Sequence, residues 1–232
     1  MHADILDAHG QQLMAVLGRH RLAQEFYLAG GTGLALHLGH RLSRDLDFFT
    51  RQPRETLPTD ELVAAVAKLW GPAPVRVEVA VAEQLDLVVD ATRVSLVAYP
   101  FPLVYPLAEF SGLAVADPRE IALMKAYALG RRATARDYVD LYFLLRESVV
   151  TLPQLLAGAA AKFVLGGESV FSPRLFLTQL VWTADLADKD AAVALLRGDE
   201  LTFAAVEDFL RRLVRDYVQE TLPPERAERE QR

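Results

Sequence analysis

Residues 26–50 read FYLAGGTGLALHLGHRLSRDLDFFT, and the order of features in this stretch decides the fold. An apolar run at 26–29 is typical of a short buried strand, and it leads directly into two glycines. Thr32 is suited to cap the short helix that the following residues predict for 33–38. Residues 45–50 then alternate polar and apolar side chains, which predicts a second strand.

Two carboxylates, Asp45 and Asp47, stand at alternate positions of this second strand. Side chains two residues apart in a strand point to the same face, so both carboxylates face away from the side of Leu46 and Phe48. Mg²⁺ is usually held by one or two carboxylates together with substrate phosphates, which this pair could provide. The alternative is that the two aspartates are only the solvated face of an amphipathic strand.

Gly30 and Gly31 lie where the first strand meets the helix. Glycine lets a ligand approach the backbone closely, and the N–H groups at the start of a helix attract anions. Thr32 adds a hydroxyl, and Arg44, just ahead of the acidic strand, could shape its loop or meet a phosphate. An ordinary turn would explain the glycines alone. Beside the acidic strand, the same turn predicts a site for a nucleoside triphosphate with Mg²⁺.

The rest of the chain mixes strands and helices for about the first 115 residues and predicts helices afterwards. Further strands are expected at 75–81, 85–89, 94–97 and 113–115. Helices are expected at 4–20, 59–70, 120–129, 135–145, 151–165, 173–187 and 202–220. The pattern therefore predicts an α+β fold with an α/β domain at 1–116, a helical C-terminal domain at 117–222 and a flexible tail at 223–232.

A basic stretch opens the second half and includes Lys125 and Arg136. Lys125 lies in an apolar helix, where it could extend to solvent or reach a triphosphate. Asp137 and Asp140 are three residues apart on the next helix and share a face. They could cap this helix and pair with Arg136 or Arg132, or they could position Lys125 or accept a proton from an attacking hydroxyl.

The composition excludes several classes of protein. Acidic residues outnumber basic ones by 31 to 25, and a net charge of −6 argues against coating nucleic acid through bulk charge. The absence of cysteine excludes Cys-based zinc sites and thiol catalysis. No apolar run reaches the roughly 18–20 residues of a spanning helix, and the polar N-terminal region is unlike a secretory signal. We therefore expect a cytoplasmic protein with no membrane partner.

Four blocks of this sequence together resemble the AbiEii/AbiGii toxin family of nucleotidyltransferase-like proteins. The first two are LAGGTGLAL at 28–36 and HRLSRDLDFF at 40–49. The other two are DPREIALMK at 117–125 and RDYVDL at 136–141. The similarity covers about residues 20–147. It implies a nucleotidyltransferase-like mixed sheet with flanking helices, followed by an all-α C-terminal part.

The resemblance also implies roles for residues in these blocks. Together with Arg44 and Arg136, which were noted above, these residues are the site candidates. The nucleotide-binding candidates are Gly30, Gly31, Thr32, Arg44, Lys125 and Arg136. The metal ligands would be Asp45 and Asp47, and the catalytic residues would be Asp45, Asp47, Lys125, Asp137 and Asp140. Members of the family are toxins of toxin–antitoxin and phage-defence systems. Those with assigned chemistry transfer a nucleotide, in some cases to tRNA. The expected substrate is an NTP, the cofactor Mg²⁺, and the partners an RNA acceptor such as tRNA and a cognate antitoxin.

The sequence departs from the nucleotidyltransferase pattern at the third metal carboxylate. Glu78 and Asp86 each lie in an alternating strand and fit that role, but the strand that aligns with it carries Ser95. If Ser95 holds this position, metal binding rests on two acids. Three hypotheses follow: a Mg²⁺-dependent transferase, an inactive binding module with the same fold, and a helical interaction protein whose α/β half is a scaffold.

Overall fold

The computed structural model describes residues 1–70, 75–131, 133–198 and 200–221. The chain divides into two compact units, one formed by residues 1–124 with the short segment that begins at Leu195, the other by residues 125–194 with the segment that begins at Glu200. The division falls later than the boundary expected after residue 116. The expected tail at 223–232, and the Gly/Pro stretch 71–74 that the sequence places after a helix, lie outside the described residues.

The first unit is built around a seven-stranded mixed sheet. Its strands are β1 (Phe26–Leu28), β2 (Leu46–Thr50), β3 (Val75–Ala80), β4 (Gln84–Val89), β5 (Thr92–Val97), β6 (Ala108–Phe110) and β7 (Leu113–Val115). Their order across the sheet is β3-β4-β5-β2-β1-β7-β6. The pairs β2–β5 and β1–β7 are parallel, and the other neighbours are antiparallel. This sheet confirms the predicted architecture, and β6 is a strand that the sequence pattern did not indicate.

The helices of the first unit differ from the predicted ones mainly at their starts. They are α1 (Ala8–Gly18), α2 (Leu22–Glu25), α3 (Gly30–Leu38), α4 (Thr59–Trp70) and the first part of α5 (Pro118–Leu129), preceded by a 3₁₀ turn at Ala3–Ile5. The helix expected at 4–20 is interrupted because Asp7 caps α1, where its carboxylate accepts a hydrogen bond from the backbone N–H of Gly10. Helix α3 starts at Gly30, earlier than expected, so Thr32 lies inside its first turn and is not its cap.

The core of the first unit fills one face of the sheet, where strand side chains pack with α1 and α4. It includes Leu13, Met14, Leu28, Leu46, Phe48, Leu62, Val66, Leu85, Leu87, Val94 and Leu96. Burial of each such leucine stabilises the fold by about 1.5–3 kcal/mol. Because side chains alternate along a strand, the residues between these core positions point to the opposite face. Asp47 of β2, Gln84 and Asp86 of β4, and Arg93 and Ser95 of β5 therefore lie on that opposite face.

The described residues of the second unit form helices and one small hairpin. Its elements are the last part of α5, α6 (Ala135–Arg146), α7 (Leu152–Lys162), the strands β8 (Val164–Leu165) and β9 (Glu168–Ser169), α8 (Pro173–Val181), α9 (Lys189–Val193) and α10 (Phe203–Thr221). The helix expected at 151–165 ends at Lys162 because the next residues pair as the hairpin. Within the part of the chain that the structure describes, no helix is long and apolar enough to cross a membrane.

Candidate active site

The glycine pair predicted to bind phosphate forms the first turn of α3, directly after β1. Gly30 has a φ of +59°, in the left-handed region that favours glycine. A Cβ atom on Gly30 would also collide with the carboxylate of Asp47, and one on Gly31 would collide with the guanidinium of Arg41. The positive φ favours glycine at position 30, and at both positions a charged side chain approaches the backbone closely.

The start of α3 also provides backbone donors at this position. The first hydrogen bond within the helix is donated by the N–H of Gly33 to the carbonyl of Ala29, over 2.8 Å. The N–H groups of Gly30, Gly31 and Thr32 precede it and have no acceptor inside the helix. Together with the helix dipole they create a partial positive charge, which suits the phosphates of a nucleotide.

The two aspartates lie on one face of the sheet beside this turn. Asp45 comes directly before β2 and Asp47 lies within it, and both are half-buried. Leu46 and Phe48, between and after them, are buried in the core on the opposite face. Asp47 reaches the Cα side of Gly30, so the acidic pair and the positive end of α3 adjoin one another.

Thr32 has a side-chain role that differs from the predicted one. Its side chain is buried, and its hydroxyl lies 2.6 Å from the hydroxyl of Ser43 and donates to the backbone carbonyl of Asp45. The hydroxyl therefore ties α3 to the segment that leads into β2. The Thr32 side chain is thus on the buried side of the helix, and only its backbone N–H belongs to the donors at the start of α3.

We expect Thr32→Val to lower the free energy of unfolding by about 1–3 kcal/mol, because the buried hydroxyl of Ser43 and the partly buried carbonyl of Asp45 lose a hydrogen-bond partner at nearly constant side-chain volume. Urea denaturation followed by circular dichroism measures this change. Thr178→Val is a matched control, because the hydroxyl of Thr178 bonds within an exposed turn of α8. Equal effects of the two substitutions would contradict this role for Thr32.

Arg41 and Arg44, the two arginines ahead of the acidic strand, differ in burial. Arg44, the predicted phosphate contact, is exposed. Arg41 is buried, and its guanidinium lies against Gly31 while its Nη1 donates to the carbonyl of Leu42 over 3.0 Å. The sequence pattern pointed to Arg44 but could not show which arginine lies beside the glycine turn, because that depends on how the segment from 39 to 45 folds back.

A row of polar side chains continues from Asp47 across the sheet. Asp47 is paired with Ser95 on β5, and Ser95 is paired with Asp86 on β4. Asp86 is buried and accepts hydrogen bonds from Gln84 over 2.8 Å and from Arg93 over 2.5 Å. Burial acts to raise the pKa of Asp86, but the hydrogen bonds from Gln84, Arg93 and Ser95 outweigh it and hold the pKa below its ordinary value.

This row clarifies which acids could bind a metal. Ser95 lies directly beside Asp47, and Asp86 is one strand further away and engaged with Arg93. The other sequence candidate, Glu78, lies on the edge strand β3 at an irregularity in its pairing. Among the residues described here, no three His, Cys, Asp or Glu side chains converge as a metal site. A metal at Asp45 and Asp47 would thus take its remaining ligands from substrate and water, a set that Mg²⁺ accepts.

In the second unit, Lys125 lies between two carboxylates of α6. Its Nζ atom is 2.7 Å from Asp137 Oδ1 and 2.7 Å from Asp140 Oδ2. The three side chains are 10%, 14% and 0% exposed, so Lys125 does not extend into solvent. The other oxygen of Asp137 accepts from the backbone N–H and the hydroxyl of Thr134, which completes a capping box at the start of α6.

The electrostatics of this cluster predict a dependence of stability on pH. Burial acts to raise the pKa of Asp137, but Lys125 and Thr134 outweigh it and hold the pKa below its ordinary value of 3.8. The ionised carboxylate therefore stabilises the folded state fully above about pH 4, and this contribution is lost as the pH falls through the lower folded-state pKa. We expect the free-energy difference between the wild type and Asp137→Asn to shrink between pH 6 and pH 3. Urea titrations at each pH measure it, and a difference independent of pH would contradict the assignment.

Comparisons with known proteins cover nearly the whole chain. Residues 12–224 match the profile of a family described as nucleotidyl transferase AbiEii toxin, type IV toxin–antitoxin system. An uncharacterized protein of Aquifex aeolicus is 29% identical over 200 residues, which cover 85% of this chain and 90% of that one.

Two solved structures share the fold at low sequence identity. MenT4, a nucleotidyltransferase toxin of Mycobacterium tuberculosis, is 20% identical with a TM-score of 0.59, and the match covers 96% of this chain and 85% of that one. JHP933 of Helicobacter pylori is 16% identical with a TM-score of 0.50, and the match covers 92% of this chain and 93% of that one. These likenesses agree in fold with the mixed sheet described above.

Proposed function

Because this chain belongs to the AbiEii nucleotidyltransferase toxin family of type IV toxin–antitoxin systems, we propose that it transfers a nucleoside monophosphate from an NTP to an acceptor hydroxyl, with Mg²⁺ at Asp45 and Asp47. One observation carries the proposal. The carboxylate of Asp47 packs against Gly30 at the start of α3, so an acidic pair and a set of backbone donors face the same place. A metal-bound polyphosphate needs both features.

Each part of this site has a separate task in the proposed reaction. The N–H groups at the start of α3 bind the terminal phosphates, and Asp45 and Asp47 hold the metal. Bound Mg²⁺ neutralises charge on the phosphates and on the leaving pyrophosphate. The acceptor oxygen forms a bond to the α-phosphorus, the bond from this phosphorus to the bridging oxygen breaks, and the hydroxyl proton passes to solvent. Positioning and charge neutralisation supply most of the rate effect.

The family resemblance supports further assignments. Lys125 would contact nucleotide phosphates, with Asp137 and Asp140 holding its ammonium group in place, and Arg44 and Arg136 are further nucleotide-binding candidates. An RNA such as tRNA is proposed as the acceptor and a cognate antitoxin as the protein partner. A transiently bound RNA agrees with the acidic net charge of −6, which disfavours tight binding of long nucleic acid.

A second function is favoured by one observation, the serine that lies beside Asp47. With Ser95 at that position, the same fold could bind a nucleotide or a partner protein without transfer. Thermal stability separates this alternative from a scaffold with no nucleotide site. An NTP with Mg²⁺ raises the melting temperature of the enzyme and of the binding module alike, and leaves a scaffold unchanged.

The decisive experiment is incubation of the protein with each α-³²P-labelled NTP, Mg²⁺ and total cellular RNA. We expect label in RNA and release of pyrophosphate. Nucleotide-dependent stabilisation without any transfer would favour the binding module. If none of the NTPs stabilises the protein and none is transferred, the proposed function is overturned.

A further inference from the structure

The polar face of the sheet continues beyond the two aspartates, on the side away from the glycine turn. In the strand order β4-β5-β2-β1, the turn follows β1, and β5 and β4 lie on the other side of β2. Ser95 and Arg93 of β5 are two residues apart and point to the same face, as do Gln84 and Asp86 of β4. The proposed function makes no use of Arg93.

Arg93 is a half-exposed guanidinium held in place by a buried carboxylate. Its side chain is 47% exposed and that of Asp86 only 1%, and Nη2 lies 2.5 Å from Asp86 Oδ2. Its Nε is 3.8 Å from an oxygen of Glu78. A carboxylate that is fully buried and also bonded to Gln84 is a rigid anchor, so the exposed part of the guanidinium has a fixed position.

The register of the sheet brings Arg93 beside the acidic pair. Leu46 is paired with Val94 in the parallel β2–β5 ladder, so Asp45 and Arg93, each one residue earlier, are neighbours. Their charges attract, since Asp45 is among the carboxylates that act on Arg93. A cation therefore stands next to the proposed metal ligands, on the β5 side.

The geometry of the transfer reaction indicates which substrate approaches from the β5 side of the acidic pair. In an in-line displacement the attacking oxygen and the leaving pyrophosphate lie on opposite sides of the α-phosphorus. If the terminal phosphates occupy the start of α3, beside β1, the attacking hydroxyl approaches from the side of β5 and β4. Arg93 stands on this approach, where a phosphate adjoining the hydroxyl would meet it.

We propose that Arg93 binds a phosphate of the acceptor strand next to the attacking hydroxyl, and that Asp86 is the positioning residue that fixes its guanidinium. This assignment rests on the proposed function and deepens it: the acceptor is an RNA end, whose 3′ hydroxyl is preceded by a phosphodiester. The same bonds form and break as in the proposed reaction, and Arg93 exchanges no proton. A guanidinium in a fixed orientation is well matched to two phosphate oxygens.

The test compares Arg93→Gln with Arg76→Gln, a control on the edge strand β3 whose side chain is 68% exposed and pairs with Glu78. The probe is a short single-stranded RNA with a free 3′ hydroxyl. We expect Arg93→Gln to raise the KM for this RNA about ten- to hundredfold, the range for loss of a charge-assisted hydrogen bond. For Arg93→Gln, the KM for the NTP should stay within twofold of the wild-type value, and so should the rise in melting temperature that the NTP causes with Mg²⁺. Arg76→Gln should change neither the two KM values nor this rise.

Binding of the same RNA, followed by fluorescence anisotropy over a range of salt concentrations, is a readout that does not depend on turnover. Loss of one phosphate contact on a single strand should reduce the slope of log K against log salt by about 0.7. An unchanged slope and an unchanged KM for RNA would overturn the proposal. A raised KM for the NTP in place of the RNA would overturn it as well, because Arg93 would then contact the nucleotide.

Two further variants keep the test informative if Arg93→Gln folds poorly. Arg93→Gln combined with Asp86→Asn removes both charges and leaves no buried unpaired carboxylate, and it should show the same loss for RNA. Asp86→Asn alone should give a smaller rise in the KM for RNA, since the guanidinium remains but is held less firmly. If the wild type transfers no nucleotide, the proposed function fails, while the salt slope still decides whether Arg93 contacts RNA phosphate.

Discussion

Asp47→Asn is expected to reduce nucleotidyl transfer by about a thousandfold or more, equivalent to about 4 kcal/mol of transition-state stabilisation. Asparagine keeps the shape that packs against Gly30 but removes the charge that would hold Mg²⁺ beside the start of α3. The proposed metal site has two carboxylates, so loss of one leaves a single charged ligand. Release of pyrophosphate and transfer of label from the α-labelled NTP both measure the effect.

Two controls separate this loss from a general defect in folding. Asp60→Asn replaces an exposed carboxylate in the first turn of α4 and should retain full activity. The melting temperature of Asp47→Asn without nucleotide should match that of wild type, while its increase with NTP and Mg²⁺ should be lost. Activity within tenfold of wild type would contradict the assignment of Asp47 as a metal ligand.

Lys125→Met is expected to lower the free energy of unfolding by about 3–5 kcal/mol, the usual cost of removing one partner from a buried ion pair. Methionine nearly fills the volume of the lysine stem, but Asp137 and Asp140 then lose the cation that lies 2.7 Å from each. The unpaired charge of Asp140 contributes most to this loss of stability, because its side chain is completely buried. Denaturation in urea, monitored by circular dichroism, provides the measurement.

The more exposed pair of Lys189 with Glu207 is the matched control for Lys125. The Nζ atom of Lys189 is 2.8 Å from Glu207 Oε1, close to the 2.7 Å of the Lys125 contacts, but the Lys189 side chain is 31% exposed. We expect Lys189→Met to cost about 1 kcal/mol or less. Combining Lys125→Met with Asp140→Asn should recover part of the stability, because no buried carboxylate then lacks a cation at that position. If Lys125→Met and Lys189→Met lower the free energy of unfolding equally, burial of the ion pair does not determine how much stability its loss removes.

The local parts of the site could be predicted from the sequence, and the non-local parts could not. Alternation along residues 45–50 identified the strand with its two aspartates on one face, and the glycine pair identified the turn, because both signals lie within a few residues. The burial of the Thr32 hydroxyl was not predictable, since it depends on Ser43 returning to α3. Arg93 was missed because its significance depends on β5 lying between β2 and β4, and strand order has no local signature.

The parallel pairing of β2 with β5 also affects the order in which the sheet folds. Residues 46–49 meet residues 94–97, so a long stretch of intervening chain must be ordered before this ladder closes. Contacts between residues distant in sequence are slow to form, because the entropy of loop closure must be overcome first. The β1–β2 half, whose partners are close in sequence, can assemble early during synthesis, and the strand that carries Ser95 and Arg93 joins it later. A nascent chain that ends before β5 therefore leaves one edge of β2 without its parallel partner.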